Sequence, residues 1–180
     1  MNNSSRLPEF HTARLLLRPV VPADAEPTAR LVSADVAANL STWPSPMSVG
    51  EAREKVRRSR ALAAAREAID FAILASDDNR LIGWIGLAID DPRTARLGYW
   101  LAASARGRGL MKEAVTAVVP GAAEWLGTLG VKALVLKHNA PSIAVLAHAG
   151  FRLTGEEEVV LQTAGRSAPC YRFDWSPAGS

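Results

Sequence analysis

Residues 97–138 constrain the fold more than any other stretch. Residues 97–102 form a short apolar run with the aromatic content of a buried strand. The loop Arg106-Gly107-Arg108-Gly109 follows, then a helical stretch over 110–126 that Gly127 and Gly130 close. Residues 131–138 are again β-branched and aliphatic, the composition of a second strand. A strand–helix–strand unit of this size places its strands parallel in one sheet, joined by a right-handed crossover. Pro120-Gly121 predicts a kink inside the intervening helix.

The remaining strands are joined by turns too short for a crossover, so they pair antiparallel. A strand over 13–19 ends at Pro19, and Asp24 is expected to cap a helix over 24–33. Residues 69–76 and 81–90 flank the polar turn 77–80 and read as a hairpin. Residues 91–93 turn the chain again into the 97–102 strand, which completes a meander. After the crossover come a short helix over 140–149 and two strands over 152–162 and 168–175. The expectation is an α+β chain whose mixed, mostly antiparallel sheet holds one parallel junction, between 97–102 and 131–138. Residues 1–10 read as a flexible N-terminus and 11–176 as one domain.

The loop at the end of the first parallel strand has the physics of an anion site. The first N–H groups of a helix lack intrahelical partners, the helix dipole adds positive charge, and glycine lets a ligand approach the backbone. Ligands of such sheets favour the carboxyl ends of parallel strands, where the loop and Asn139 both lie. Both features converge on one place.

Charge and cysteine content exclude other classes. Net charge is +3 and the sequence pI is about 9.4. Much of the excess lies in residues 51–68, which carry Arg53, Lys55, Arg57, Arg58, Arg60 and Arg66. No aromatic residues are interleaved there for base stacking, so the stretch reads as a solvated helix face, not a nucleic-acid surface. Glu51–Lys55 and Glu54–Arg58 are spaced as i,i+4 pairs, and Ser48 with Glu51 forms a capping box. With Cys170 alone and three scattered histidines, neither an internal disulfide nor a metal site is expected. No apolar run reaches the roughly 18 residues that span a bilayer, and the N-terminal residues lack a signal-peptide core. A cytoplasmic monomer or homodimer without a membrane partner is expected.

Several stretches, in order, resemble the GNAT N-acetyltransferase superfamily, and within it the RimJ/RimL branch. They are ARLLLRP, the Trp43-Pro44 loop, IGWIGL, GYWLAASARGRGLMKEAV and NAPSIAVLAHAGF. The resemblance implies a three-layer fold: about six to seven strands, splayed at the parallel junction, with about four helices. It also implies acetyl-CoA as co-substrate and no metal. The family's pyrophosphate loop then falls on Arg106, Gly107, Arg108, Gly109, Leu110 and Met111, where Met111 replaces a small residue. Leu101, Ala102 and Ala103 would pair with the pantetheine, and Asn139 and Ser142 correspond to the branch's N-x-x-S motif. The same residues also suit local structure. Asn139 is a good N-cap, Pro141 fits a first turn, and Gly150-Phe151 forms a helix stop.

Two departures bear on chemistry. The tyrosine that many relatives use as an acid is Leu146 here, which leaves Ser142 as the candidate acid for the departing thiolate. The glutamate that usually precedes the Gly-Tyr pair is Arg96, which cannot act as a base at neutral pH. His138 is the candidate substitute. An α-amine, with pKa about 7.7–8.0, is roughly 10–15% neutral at pH 7, against about 0.04% for a lysine amine. Without the glutamate, a low-pKa amine such as a peptide N-terminus is favoured. Trp43, Trp84, Arg96, Tyr99 and Trp100 are candidate acceptor-binding residues, with Trp43 at the substrate mouth and Arg96 facing a carboxylate-bearing acceptor. The alternatives are a small-molecule amine (amino acid, polyamine or antibiotic) as acceptor, or a non-catalytic acyl-CoA-binding module.

Overall fold

A computed structural model describes residues 7–38, 40, 43–161 and 165–177. The expected extremes at residues 1–6 and Gln162 lie outside them, as do Ser41 and Thr42 of the Trp43 loop.

Among the described residues eight strands form one sheet in the order β1-β2-β3-β4-β5-β6-β8-β7. They are β1 (Phe10–His11), β2 (Leu15–Pro19), β3 (Ala68–Ala75), β4 (Leu81–Asp91), β5 (Thr94–Leu101), β6 (Gly130–Leu136), β7 (Arg152–Leu161) and β8 (Arg166–Trp175). Neighbours are antiparallel except β5 and β6. Their pairing is shorter and earlier than expected: Thr94, Ala95 and Arg96 pair with Gly130, Val131 and Lys132, and the strands then separate. Strand β5 accordingly starts at Thr94, three residues upstream of the apolar run. The two-residue β1 went unread because it is too short to show alternation.

Helices cover both faces. Helix α4 (Leu110–Leu126) and α5 (Ala140–His148) cover one face, over a core that includes Leu17, Phe71, Ile85, Leu97, Val115 and Leu146. Helix α1 (Ala25–Leu31) and α3 (Val49–Ala64) cover the other, with Val56, Trp43, Trp84 and Trp100. A four-residue helix α2 (Ala34–Ala37), not anticipated, lies between α1 and α3. Strand alternation assigns the faces. Along β5, Ala95, Leu97, Tyr99 and Leu101 point to the α4 side, and Trp100 to the α3 side. No helix of the described residues is long and apolar enough to cross a membrane.

Pro120 does not interrupt α4; it sits at an exposed position inside the helix. Its neighbour Gly121 has a packing role. A side-chain carbon there would lie 2.6 Å from the Phe10 ring, which in turn packs edge-on against Phe71 at 5.4 Å. Glycine admits the ring that fastens β1 to α4.

Three local expectations are corrected. Asp24 does not cap α1 with its side chain. Its carboxylate instead takes a two-pronged bond from Arg18, both prongs at 2.8 Å, and one from the Val21 N–H at 2.8 Å. Two charge-assisted bonds outweigh one cap bond. On α3 the capping box forms, with Ser48 Oγ accepting from Glu51 N–H at 3.1 Å and Glu51 accepting from Ser48 N–H at 2.8 Å. Glu51 is thereby occupied, and Glu54 pairs with Arg57 at i,i+3 instead of Arg58. Lys55 is not on the solvated face: it belongs to the half-buried stripe that meets the sheet.

Asp24 is 4% exposed, so removing it strands the Arg18 guanidinium in a largely buried setting. Asp24→Ala is expected to cost about 3 kcal/mol of unfolding free energy, measured by urea denaturation at pH 7.

Candidate active site

Separation of β5 from β6 after Arg96 creates the site. Strand β6 stays paired with β8 along 131–136, and β5 with β4 along its length. The edge of β5 facing β6 is therefore open beyond residue 96, a groove between two ladders. Its floor passes Tyr99 and Leu101, and its outer end meets the loop before α4.

That loop is shaped for an anion. Gly107 and Gly109 have φ of +73° and +75°, the left-handed conformation in which a side chain is strained. They turn the chain so that Gly109 sits at the N-cap of α4. The N–H groups of residues 107–112 form no hydrogen bond among the described residues, and the next, of Glu113, bonds to Gly109 O at 3.2 Å. Met111 does not obstruct the loop. Its side chain is buried in the core under α4, so the exception to the small-residue pattern leaves the amides clear.

Side chains from distant segments hold the loop in place. Arg14, just before β2, donates to Arg108 O at 2.9 Å and to Glu113 Oε2 at 2.7 Å. Thr12 donates to the other Glu113 oxygen at 2.5 Å. Burial pushes the Glu113 carboxyl up, but the bonds from Thr12 and Arg14 outweigh this and hold it below the usual range. Arg106 does not point into the groove. Its Nε donates to Leu101 O at 3.0 Å and its Nη1 to Asp35 at 2.5 Å, which braces the turn against α2. Leu101 and Ala102 are buried, while Ala103 is exposed at the turn. Two clefts flank the loop. One of about 490 Å³ carries Arg14, Lys112 and His148 beside Glu113. The other, about 350 Å³, carries Arg14, Arg80 and Arg108 beside Asp77.

At the inner end of the groove Tyr99 meets α5. Asn139 Oδ1 accepts from Ser142 N–H at 3.2 Å, so Asn139 is the N-cap, and Gly150 at φ +83° with buried Phe151 ends the helix. This cap fixes Ser142 at the sheet, with its Oγ 2.7 Å from the Tyr99 hydroxyl. Tyr99 also donates to Ser142 O at 3.3 Å. Burial pushes the Tyr99 hydroxyl up to about 12, against a smaller downward pull from Ser142, so it is protonated at neutral pH. Leu146 is fully buried and offers no polar group.

On the opposite face the candidates disperse. Trp43, Trp84 and Trp100 are buried and packed edge-on, Trp43 lying 5.3 Å from each of the other two. The Trp43 loop does not leave its indole at an open mouth; apolar burial against the sheet wins. Trp84 donates to Thr28 at 2.9 Å. Arg96 is exposed and lies 3.7 Å from Asp90, which also binds Lys132 at 2.5 Å. His138 is exposed in the turn after β6 and makes no hydrogen bond or ion pair among the described residues.

Sequence reading passed over Asp70. It is the acid of the otherwise apolar strand AIDFAILA, on the face that receives Lys55 and Ser59 from α3. Its carboxylate lies against Gly86, where a side-chain carbon would come within 1.9 Å of Oδ1. One acid in an apolar strand was the available signal, though its neighbours belong to other segments. The Thr12–Arg14–Glu113 clamp left no such signal.

The clamp has a pH signature. A depressed carboxyl contributes stability above its unfolded range and loses it as pH falls through the folded value. Glu113→Gln is expected to cost about 1 kcal/mol at pH 7 by urea denaturation, and the difference from the parent should shrink as pH falls below the ordinary glutamate range.

Comparison with known proteins agrees with this geometry. Residues 14–152 match the family model for the acetyltransferase (GNAT) domain. The chain is 37% identical to the probable N-acetyltransferase YjcK of Bacillus subtilis over 92 residues, 49% of this chain and 51% of that one. That match spans about half of YjcK. It is 26% identical over 166 residues to the uncharacterized N-acetyltransferase p20 of Bacillus licheniformis, covering 91% of this chain and 93% of that one. In fold it is similar to the ribosomal-protein-S5-alanine acetyltransferase of Vibrio fischeri, with a TM-score of 0.84, 17% identity, and 96% and 98% of the two chains covered. It is likewise similar to RimJ of Mycobacterium smegmatis, with a TM-score of 0.80, 23% identity, and 94% and 86% covered. A family match over most of the chain, on a sheet that splays between β5 and β6, places this protein in the GNAT acetyltransferase family.

Proposed function

We propose that the chain is an acetyl-CoA-dependent N-acetyltransferase that acetylates a primary amine, most readily the α-amine of a peptide or protein N-terminus. The observation that carries this reading is the run of unpaired N–H groups over 107–112, which opens onto the groove leading to Tyr99 and Ser142. A pyrophosphate fits such a cradle, and the basic residues of the flanking clefts fit a further phosphate. Support also comes from similar folds whose structures are described with the ligand: RimL in complex with coenzyme A, and the microcin C7 self-immunity acetyltransferase MccE in complex with acetyl-CoA and AMP.

In this reading residues 107–112 hold the pyrophosphate. The backbone of residues 101–103 runs beside the pantetheine, with only the groups not already bonded to Arg106, Ile82 and Ala105 left to pair with it, and Asn139 and Ser142 line the far wall. Arg106 acts indirectly, by bracing the turn. The amine attacks the thioester carbonyl directly, with orientation in the groove supplying most of the acceleration. A β5 edge N–H stabilises the developing oxyanion. Ser142 gives its hydroxyl proton to the departing sulfur and recovers one from Tyr99, whose proton stays in place until about pH 12. The similarity to RimL, described as a ribosomal L7/L12 α-N-protein acetyltransferase, supports an N-terminal acceptor, and exposed Arg96 supports one bearing a carboxylate near the amine. On this reading the enzyme acts in the cytosol.

Two variants test it. Gly109→Asp puts a carboxylate into the cradle at a left-handed position and should weaken acetyl-CoA binding at least about a hundredfold by calorimetry. A loss within a few-fold removes the phosphate assignment. Ser142→Ala should lower kcat by about ten- to a hundredfold with little change in the acetyl-CoA KM. An unchanged kcat leaves Ser142 as a helix-cap neighbour only. Tight acetyl-CoA binding with no CoA release to peptides, amino acids, polyamines or antibiotics would make the chain an acyl-CoA-binding module.

A further inference from the structure

The amine must lose a proton before it attacks, and the groups already placed at the groove do not take it. Arg96 is cationic, His138 is exposed without a bond that orients it, and Tyr99 and Ser142 serve the sulfur. The α3 face of the sheet holds a different group. Asp70, Gly86 and Gly98 form one transverse row across β3, β4 and β5, as the pairs Asp70↔Gly86 and Gly86↔Gly98 show. The Asp70 carboxylate occupies the space over Gly86, and a side-chain carbon at Gly98 would meet nothing within 4 Å. Gly98 is exposed where Gly86 is buried. The row is thus a shelf with a carboxylate at its inner end and open space beside it. It lies one residue from Tyr99, on the opposite face of the same strand.

Helix α3 completes the shelf in an unusual way. Its sheet-facing stripe runs Ala52, Lys55, Val56, Ser59 and Ala63, so two polar residues interrupt an apolar surface at the point where it meets Asp70. Fold stability alone favours apolar residues here. Lys55 lies over the Trp43 ring at 4.1 Å and closes no salt bridge with Asp70 among the described residues, although its charge still acts on the carboxylate. Burial pushes the Asp70 carboxyl up, while Ser59 and Lys55 pull it part of the way back. That balance suits a proton acceptor. Of the other cations, Arg18 is held by Asp24, Arg60 by Val20 O and Arg96 by Asp90, while Arg58 acts on Lys55 from an exposed position of α3.

We propose that Asp70 is the base that receives the acceptor's ammonium group on the Gly86–Gly98 shelf. The inference rests on the acetyltransferase reading above. An ammonium over Gly98 gives one proton to Asp70, and the neutral nitrogen attacks the thioester carbonyl. The C–N bond forms and the C–S bond breaks. The second nitrogen proton leaves to solvent as the amide forms, the Ser142–Tyr99 pair regains from solvent the proton it gave to sulfur, and Asp70 returns its proton to solvent, so one proton is released per turnover. Base and acid therefore stand on opposite faces of β5, with the thioester between them.

The test uses the full chain, acetyl-CoA, and two acceptors: alaninamide and a hexapeptide with a free N-terminal alanine. CoA release is followed from pH 6 to 9. Asp70→Asn should lower kcat at pH 7 by about a hundredfold or more while the acetyl-CoA dissociation constant stays within about twofold, which also reports an intact fold. The loss should shrink towards pH 9, where the amine is already neutral. Lys55→Met removes the cation that pulls the carboxyl down, so the acid limb of kcat/KM should move to higher pH. A kcat for Asp70→Asn within about threefold of the parent, a loss equal at every pH, or an unmoved limb in Lys55→Met, each overturns the assignment of Asp70 alone. A parent protein that binds acetyl-CoA but releases CoA to neither amine overturns the transferase reading and this inference with it.

Discussion

The site depends on how little of β5 and β6 is paired. Three residue pairs hold the strands together at 94–96 and 130–132, and beyond them each strand keeps its outer partner and gives up the inner one. A sheet normally leaves free backbone edges only at its margins. Here one lies in the middle, flanked by two intact ladders that keep it rigid. The crossover helix returns across this opening. Its N-terminus, where unpaired N–H groups and the positive end of the dipole coincide, is delivered to the mouth of the groove. Cradle and groove are consequences of one topological event.

Rigidity at the mouth comes from far along the chain. Arg14 and Thr12 grip Glu113 across the loop, and Arg106 ties the preceding turn to Leu101 O and to Asp35. A loop that holds a ligand through its amides needs such bracing, because the amides must be aimed before the ligand arrives. The two arginines that look like phosphate ligands by composition thus divide the work. Arg106 spends its guanidinium on the protein's own acceptors, whereas Arg108 lines a cleft beside the loop.

The two faces of β5 differ in chemistry for a simple reason. Alternation points Tyr99 to the α4 and α5 side, where Ser142 meets it, and points Gly98 and Trp100 to the α3 side. Three tryptophans pack beneath α1 and α3 on that second face, and Gly98, at the far end of the row from Asp70, is its exposed part. The aromatic residues that invited a binding role are the wall, and the small residues mark the opening.

Much of this was legible in the chain itself. The capping box at Ser48, the Asn139 cap, the Gly150-Phe151 stop and the glycines of the loop are local devices, so residue type and spacing sufficed to find them. The crossover likewise follows from the length of the 110–126 helix between two apolar runs. Asp24 was misread because its competitor for the helix cap, Arg18, is close in sequence but reaches it only when the strand is laid against the turn. The exact extent of β5–β6 pairing, the Tyr99–Ser142 contact and the clamp on Glu113 join segments 36 to 101 residues apart. Asp70 gains its setting from Lys55, Ser59 and Gly86, on another helix and another strand. Sequence alone determined the order of the longer elements, the parallel junction and the glycine loop before α4, because local backbone preferences and periodicity act over one turn or one strand. Tertiary structure decided which side chains share the groove, since that depends on register and on the face each strand turns to its neighbours.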